Sequence, residues 1–242
     1  MFRVLLIISG ALCLLLHSIP ISAQVYAEDG YFLQRFIRVK DEATFNVNGS
    51  VIGLKYSEIT GSPFWKSDYT LAALYKNEKK AAIVPIKINL FTNEIYFLKG
   101  EQELVLEEQG INEIVFLDTG DTTTFIRLVP NIFLNKKKVD DCVQVLNKGR
   151  YQLLKYTKKQ LGTADSAMSY KRYYFSETNY YFLKNLEKVE RIKKLDDKNI
   201  LSYLPQSKTF SDWIKTNEID FKKEKDIISF LNYYNAALQN KD

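Results

Sequence analysis

Between residues 69 and 129, short runs in which apolar and polar residues alternate recur roughly every ten residues, and no other feature constrains the fold of this chain as much. Ile86, Ile88 and Leu90 alternate with Lys87 and Asn89. Ile95 and Phe97 follow the same rule with Glu94 and Tyr96, as do Leu104 and Leu106 with Glu103 and Glu107. A period of two sends every second side chain to one face, so each run is expected to be a strand with one apolar and one mostly polar face. Turns are expected at 76–80, 91–93, 99–102, 108–110 and 118–121, each holding Asn, Gly or Asp, the residues that accept tight reversals. The spacing predicts an antiparallel meander. Ahead of it, residues 45–47 and 51–55 flank an Asn48-Gly49 pair suited to a two-residue hairpin turn.

A second group of strands follows Lys136, Lys137 and Lys138. Residues 142–146 and 150–156 flank Asn147-Lys148-Gly149, and residues 171–175 and 180–183 flank 176–179, which predicts two hairpins separated by a small, polar loop at 162–169. From Leu195 the period becomes helical. Asp196 or Asp197 can cap a first helix that stops at Pro205, and a second begins near Thr209. A third, over about 221–239, sets Ile227, Ile228, Leu231, Tyr234 and Leu238 on one stripe, as a helix docked on a core requires. The expected class is therefore mainly β, an antiparallel meander of barrel-like or sandwich-like form, with a C-terminal all-helical segment. Its regions are a β region over 24–135, a second hairpin region over 136–195 and a helical region over 196–242. The expected strands, about five to seven residues long, fall short of the ~9–11 that cross an outer membrane.

The N-terminus reads differently. Arg3 precedes an apolar run from Val4 to Leu16, and Ile19, Pro20, Ile21, Ser22 and Ala23 lead to Gln24. A charged start, a short apolar segment and a small residue before the break make a cleavable secretory signal over residues 1–23. The apolar run is shorter than the ~20 residues of a spanning helix. Cys13 does not suit lipid attachment, because Leu12 stands where a small residue is needed. The chain is thus expected to be exported: periplasmic, envelope-associated or secreted.

Cleavage after Ala23 would remove His17 and Cys13, the single histidine and one of two cysteines. Without imidazole the remainder could build neither a Ser-His-Asp nor a Cys-His nucleophile, and could offer no histidine to a metal. Cys142 would have no intramolecular disulfide partner, so the fold must rest on its core. The formal charge of +5 is uneven: residues 24–130 carry 11 basic and 15 acidic side chains, and residues 131–242 carry 22 and 14. Two units of opposite sign would attract each other.

Three patterns bear on chemistry. Ile114-Val115-Phe116-Leu117-Asp118-Thr119-Gly120 resembles the Asp-Thr-Gly motif of aspartic proteases, in which two carboxylates share a proton and activate water. Asp121 stands where a small residue is usual and the chain holds no second such motif. The string also suits a strand entering a tight turn, which is the reading adopted; Asp118 is the one catalytic candidate. Residues 170–182 hold seven aromatics in thirteen positions. Tyr170, Tyr173, Tyr174, Tyr180 and Tyr181, beside Lys171 and Arg172, could stack on rings and hold anions, although a half-covered hairpin would use the same residues. Lysine pairs are dispersed among acids, as on solvated faces. No metal ligand set, cofactor loop or nucleic-acid motif is present in the sequence. The expected partners are an envelope protein, a glycan or an anionic lipid surface.

Several stretches together carry a resemblance. Gly61-Ser62-Pro63-Phe64, the strands through Ile86-Lys87-Ile88-Asn89-Leu90 and Glu94-Ile95-Tyr96-Phe97, the Leu146-Asn147-Lys148-Gly149 hairpin, and the tail Phe230-Leu231-Asn232-Tyr233-Tyr234-Asn235 resemble a family of exported, uncharacterised proteins of Bacteroidota. That resemblance implies location far more than activity. The chain is therefore expected to be a non-catalytic binding, structural or interaction protein, with a carboxylate-dependent hydrolase as the alternative.

Overall fold

The computed structural model describes residues 26–27, 36–38, 42–47, 50–106, 110–117, 122–127, 129, 131–165, 171–186, 188–205 and 207–239. The signal segment, the Asn48-Gly49 turn, Asp118 and Tyr170 lie outside the described residues, as does the side chain of Lys171.

The first half contains strands β1 (Tyr26–Ala27), β2 (Phe36–Arg38), β3 (Glu42–Val47), β4 (Ser50–Lys55), β5 (Thr70–Lys76), β6 (Lys79–Asn89), β7 (Glu94–Lys99), β8 (Gln102–Leu106), β9 (Glu113–Phe116) and β10 (Thr124–Ile126). The second adds β11 (Phe133–Leu134), β12 (Lys137–Lys138), β13 (Val143–Val145), β14 (Tyr151–Asp165), β15 (Lys171–Asn185) and β16 (Lys188–Ile192). Helices α1 (Asp197–Leu201), α2 (Lys208–Thr216) and α3 (Glu224–Gln239) close the chain. The protein is mainly β with a helical C-terminus, and its large sheet runs β16-β15-β14-β13-β10-β9-β5-β6-β7-β8-β2, with β1 beside β6. Every named strand pair is antiparallel.

The alternating runs form the strands their period predicts. Ile86 pairs with Phe97, Ile88 with Ile95 and Phe97 with Leu104, so all of them fall on one buried face with Leu74, Ile114, Phe116 and Phe125. These side chains come from six successive strands and share one cluster, which is the core of the first half. The order also contains a jump that the rhythm does not reveal: β9 pairs with β5, not with its predecessor β8. The meander therefore resumes on the other edge of its first strand. On the opposite face, Tyr56 and Phe64 cover the sheet, whereas Trp65 packs on the inner face against Phe116 and Phe125. Phe64 packs edge-on to Tyr96 at 5.4 Å, and buried Asn89 donates to the Tyr56 hydroxyl at 3.0 Å.

Of the two hairpins expected in the second half, the first forms, with Gln144 and Val145 paired to Lys155 and Leu154, and the second does not. β14 and β15 run for fifteen residues each, and Ser176, Glu177, Thr178 and Asn179 pair with Gln160, Lys159, Lys158 and Thr157 instead of turning. Nothing in 176–179 breaks a strand: it has neither glycine nor proline, and threonine favours strands. Residues 162–165, expected in a loop, belong to β14. With β6 at eleven residues, these strands also exceed the expected length. None of the described helices is long and apolar enough to cross a membrane.

The helices dock on the root of the long hairpin. Asp196 caps α1 by accepting from the Asn199 N–H at 2.8 Å, and Ser207 caps α2. Ile227, Phe230, Leu231 and Tyr234 of α3 are buried against Tyr151, Leu153, Leu183 and Ile192. That apolar stripe on a sheet face, rather than helix propensity, holds the tail in place.

Candidate functional site

The aromatic-rich strand β15 does not present its rings as one surface. Alternation splits them. Tyr173 and Phe175 join the cluster around Tyr56 and Ile59. Two strand positions further on from Asn179, on the same face, the Tyr181 hydroxyl donates to Glu224 at 2.7 Å. Tyr174 and Tyr180 point the other way. The Tyr174 ring, 39% exposed, lies over Gly162, where a Cβ would sit 2.6 Å from Tyr174 Cζ. Tyr180 stacks on Tyr156 at 6.0 Å, and the Arg191 guanidinium lies 5.4 Å from its centre. Arg172 is exposed on the tyrosine-bearing outer face, opposite Ala164. The five described candidates thus divide between a packed face and an outer, partly open one.

A concavity lies elsewhere, where the sheet meets α3. β13 is only three residues long, so the start of β14, paired with β15 on one edge, has no strand partner beyond Leu153 on the other. Two buried asparagines replace it. Asn147 accepts from the Leu153 N–H at 2.6 Å and donates to the Tyr151 carbonyl at 2.8 Å. Asn235 of α3 accepts from the Tyr151 N–H at 2.9 Å and donates to the carbonyls of Tyr151 and Lys148 at 2.8 and 3.0 Å. Each carboxamide supplies a donor and an acceptor, as a strand neighbour would. The Leu146–Gly149 and Phe230–Asn235 stretches, far apart in sequence, meet at this point.

Beside that junction opens a half-open cleft of about 880 Å³. Thr124 and Ile126 of β10, Val145 of β13 and Gln152 of β14 form its sheet wall, and Glu224, Ile228 and Asn232 form its helical wall. Glu224 is fixed in place, 3.0 Å from the Lys155 ammonium and bonded by Tyr181. Burial, and then that hydrogen bond, hold the Tyr181 phenol above its ordinary range. Lys155 and Tyr181 occupy paired register positions, so the strand pairing itself aims both at the helix. Sequence reading misses this cleft because its residues are spread from 113 to 232; the mid-strand glutamines and the polar 122–124 run are the only local traces.

Cys142 belongs to the core. It is 1% exposed, and burial pushes its thiol up to about 12. A thiolate is the reactive form, so a maleimide added to native protein should leave Cys142 unmodified over an hour and label it fully in denaturant; native labelling would mean that the β10–β13 region opens readily.

No group of His, Cys, Asp and Glu suited to a metal occurs among the described residues. No protein-family model matches the chain, and no curated protein or solved structure does so either.

Proposed function

We propose that the chain is an exported, non-catalytic binding protein of the bacterial envelope, of the Bacteroidota type its sequence resembles, and that its ligand sits in the cleft between the sheet and α3. The observation that carries this reading is the chemistry of that cleft. Its walls offer hydroxyls, carboxamides, short apolar patches and charges of both signs, whereas its best-placed carboxylate, Glu224, is already held by Lys155 and Tyr181. Such a lining recognises a ligand by many modest contacts rather than by moving a proton. Mixed charge favours a polar ligand of little net charge over an anionic lipid surface.

Export is tested by mass spectrometry of protein from the native envelope. The expected N-terminus is Gln24; an intact Met1 in the cytoplasm would overturn the localisation.

A carboxylate-dependent hydrolase is the second reading, favoured by one observation: Thr122 and Thr123, which line the cleft, follow Asp118-Thr119-Gly120-Asp121 directly in the chain. Purified protein is expected to cleave no peptide at acidic pH. Reproducible cleavage that disappears in Asp118→Asn while the fold survives would make the enzyme the leading account.

A further inference from the structure

Resting on the cleft reading above, we infer that the ligand is a short extended peptide, apolar or neutral in its middle, with a cationic group at one end and an anionic group at the other. Charge placement carries the inference. By the sheet order, Glu113 on β9 stands at one end of the cleft and Lys184 on β15 at the other, with Lys148 in the β13–β14 turn between them. None of these three makes a side-chain ion pair among the described residues. In the sheet order β9 and β15 are separated by β10, β13 and β14. Four interstrand steps of about 4.8 Å span roughly 20 Å, the length of about six extended residues at ~3.3 Å each.

The middle of the cleft suits a peptide backbone. Gln144, Gln152 and Asn232 each present a donor and an acceptor, matching the alternating N–H and C=O of an extended chain. Ile126, Val145 and Ile228 offer room for small aliphatic side chains between them. Among the described residues no aromatic ring lines the cleft, and a pyranose would lack the flat face on which sugars are commonly held. The features favour a peptide over a glycan.

The test uses the mature chain and three fluorescent probes: a pool of hexapeptides with lysine first, aspartate last and Ala, Val, Ser or Thr between; the same pool with glutamine at both ends; and a neutral glucan hexasaccharide. The charged pool is expected to bind at least about tenfold more tightly than the neutral one. Lys184→Glu or Glu113→Lys should each weaken it by about tenfold. A pool with lysine at both ends should regain affinity for Lys184→Glu. Unchanged thermal midpoints would show that these half-buried side chains act on binding and not on folding. Equal binding of charged and neutral pools overturns the inference. Glucan binding that is lost in Asn232→Trp overturns it while leaving the cleft as the binding site. Binding of any probe that ignores Asn232→Trp, or no binding at all, overturns both.

Discussion

Asn235→Leu is expected to destabilise the protein by about 3 kcal/mol, because the substitution keeps the volume but leaves a buried backbone donor without its acceptor. The Tyr151 N–H has Asn235 Oδ1 as its bonded acceptor at 2.9 Å. The two carbonyls that Asn235 also serves fare better, since Asn147 Nδ2 reaches both Tyr151 O at 2.8 Å and Lys148 O at 3.2 Å. The loss is therefore asymmetric, and Asn235→Asp should cost at least as much as Asn235→Leu, because an ionised carboxylate would be buried with one oxygen facing the Tyr151 and Lys148 carbonyls. Urea denaturation followed by circular dichroism measures both. Equal stability of Asn235→Leu and the parent would mean that water replaces the amide at this junction and that the helical tail is held by its apolar stripe alone.

A second large effect is expected at Gly149. Its φ of +114° lies where side chains are strained, and a Cβ there would meet Asn235 Cγ at 2.6 Å. Asn235 is buried and bonded three ways, so it cannot swing aside as a surface chain end would. Gly149→Ala should destabilise by about 3 kcal/mol or more, combining backbone strain with overpacking. The two sites must also couple. In the Gly149→Ala background, Asn235→Ala removes the two nearest atoms, Cγ and Nδ2, and leaves only Cβ at 2.9 Å, so the double variant should be less destabilised than the sum of the singles by about 1 kcal/mol or more. Additive effects would place the strain in the backbone of the turn and not in the contact with α3.

The parts of the fold that depend on nearest neighbours were legible in the sequence. Period-two runs became strands with the expected buried face, Asp196 caps its helix, and the Asn147-Lys148-Gly149 turn joins two paired strands. The parts that depend on distant pairing were not. No local signal says that β9 returns to β5, since the alternation of Ile114 and Phe116 would serve equally beside β8. The polar stretch Ser176–Asn179 resembles a turn by composition, yet β14 pairs with it throughout. The same limit hid the candidate site. Asn147 and Asn235 look like surface or turn residues in a one-dimensional reading, and they become buried only because β13 stops early and α3 arrives from more than eighty positions away. The division of the tyrosines could have been foreseen: Tyr173 and Tyr181 are odd-numbered and Tyr174 and Tyr180 even, so one uninterrupted strand must send them to opposite faces.

The long hairpin sets a timing problem for the nascent chain. Its outer half covers Tyr56, Ile59 and Phe64, and Lys159 donates to the Ser62 carbonyl from 97 positions downstream. Synthesis at about 5–20 residues per second leaves Tyr56, Ile59 and Phe64 waiting roughly 5–20 seconds for the strand that will bury them. Through that interval the first half of the molecule is an unfinished sheet with an uncovered greasy flank. Its yield should therefore depend on factors that hold the chain unfolded until it is complete, far more than the stability of the finished fold would suggest.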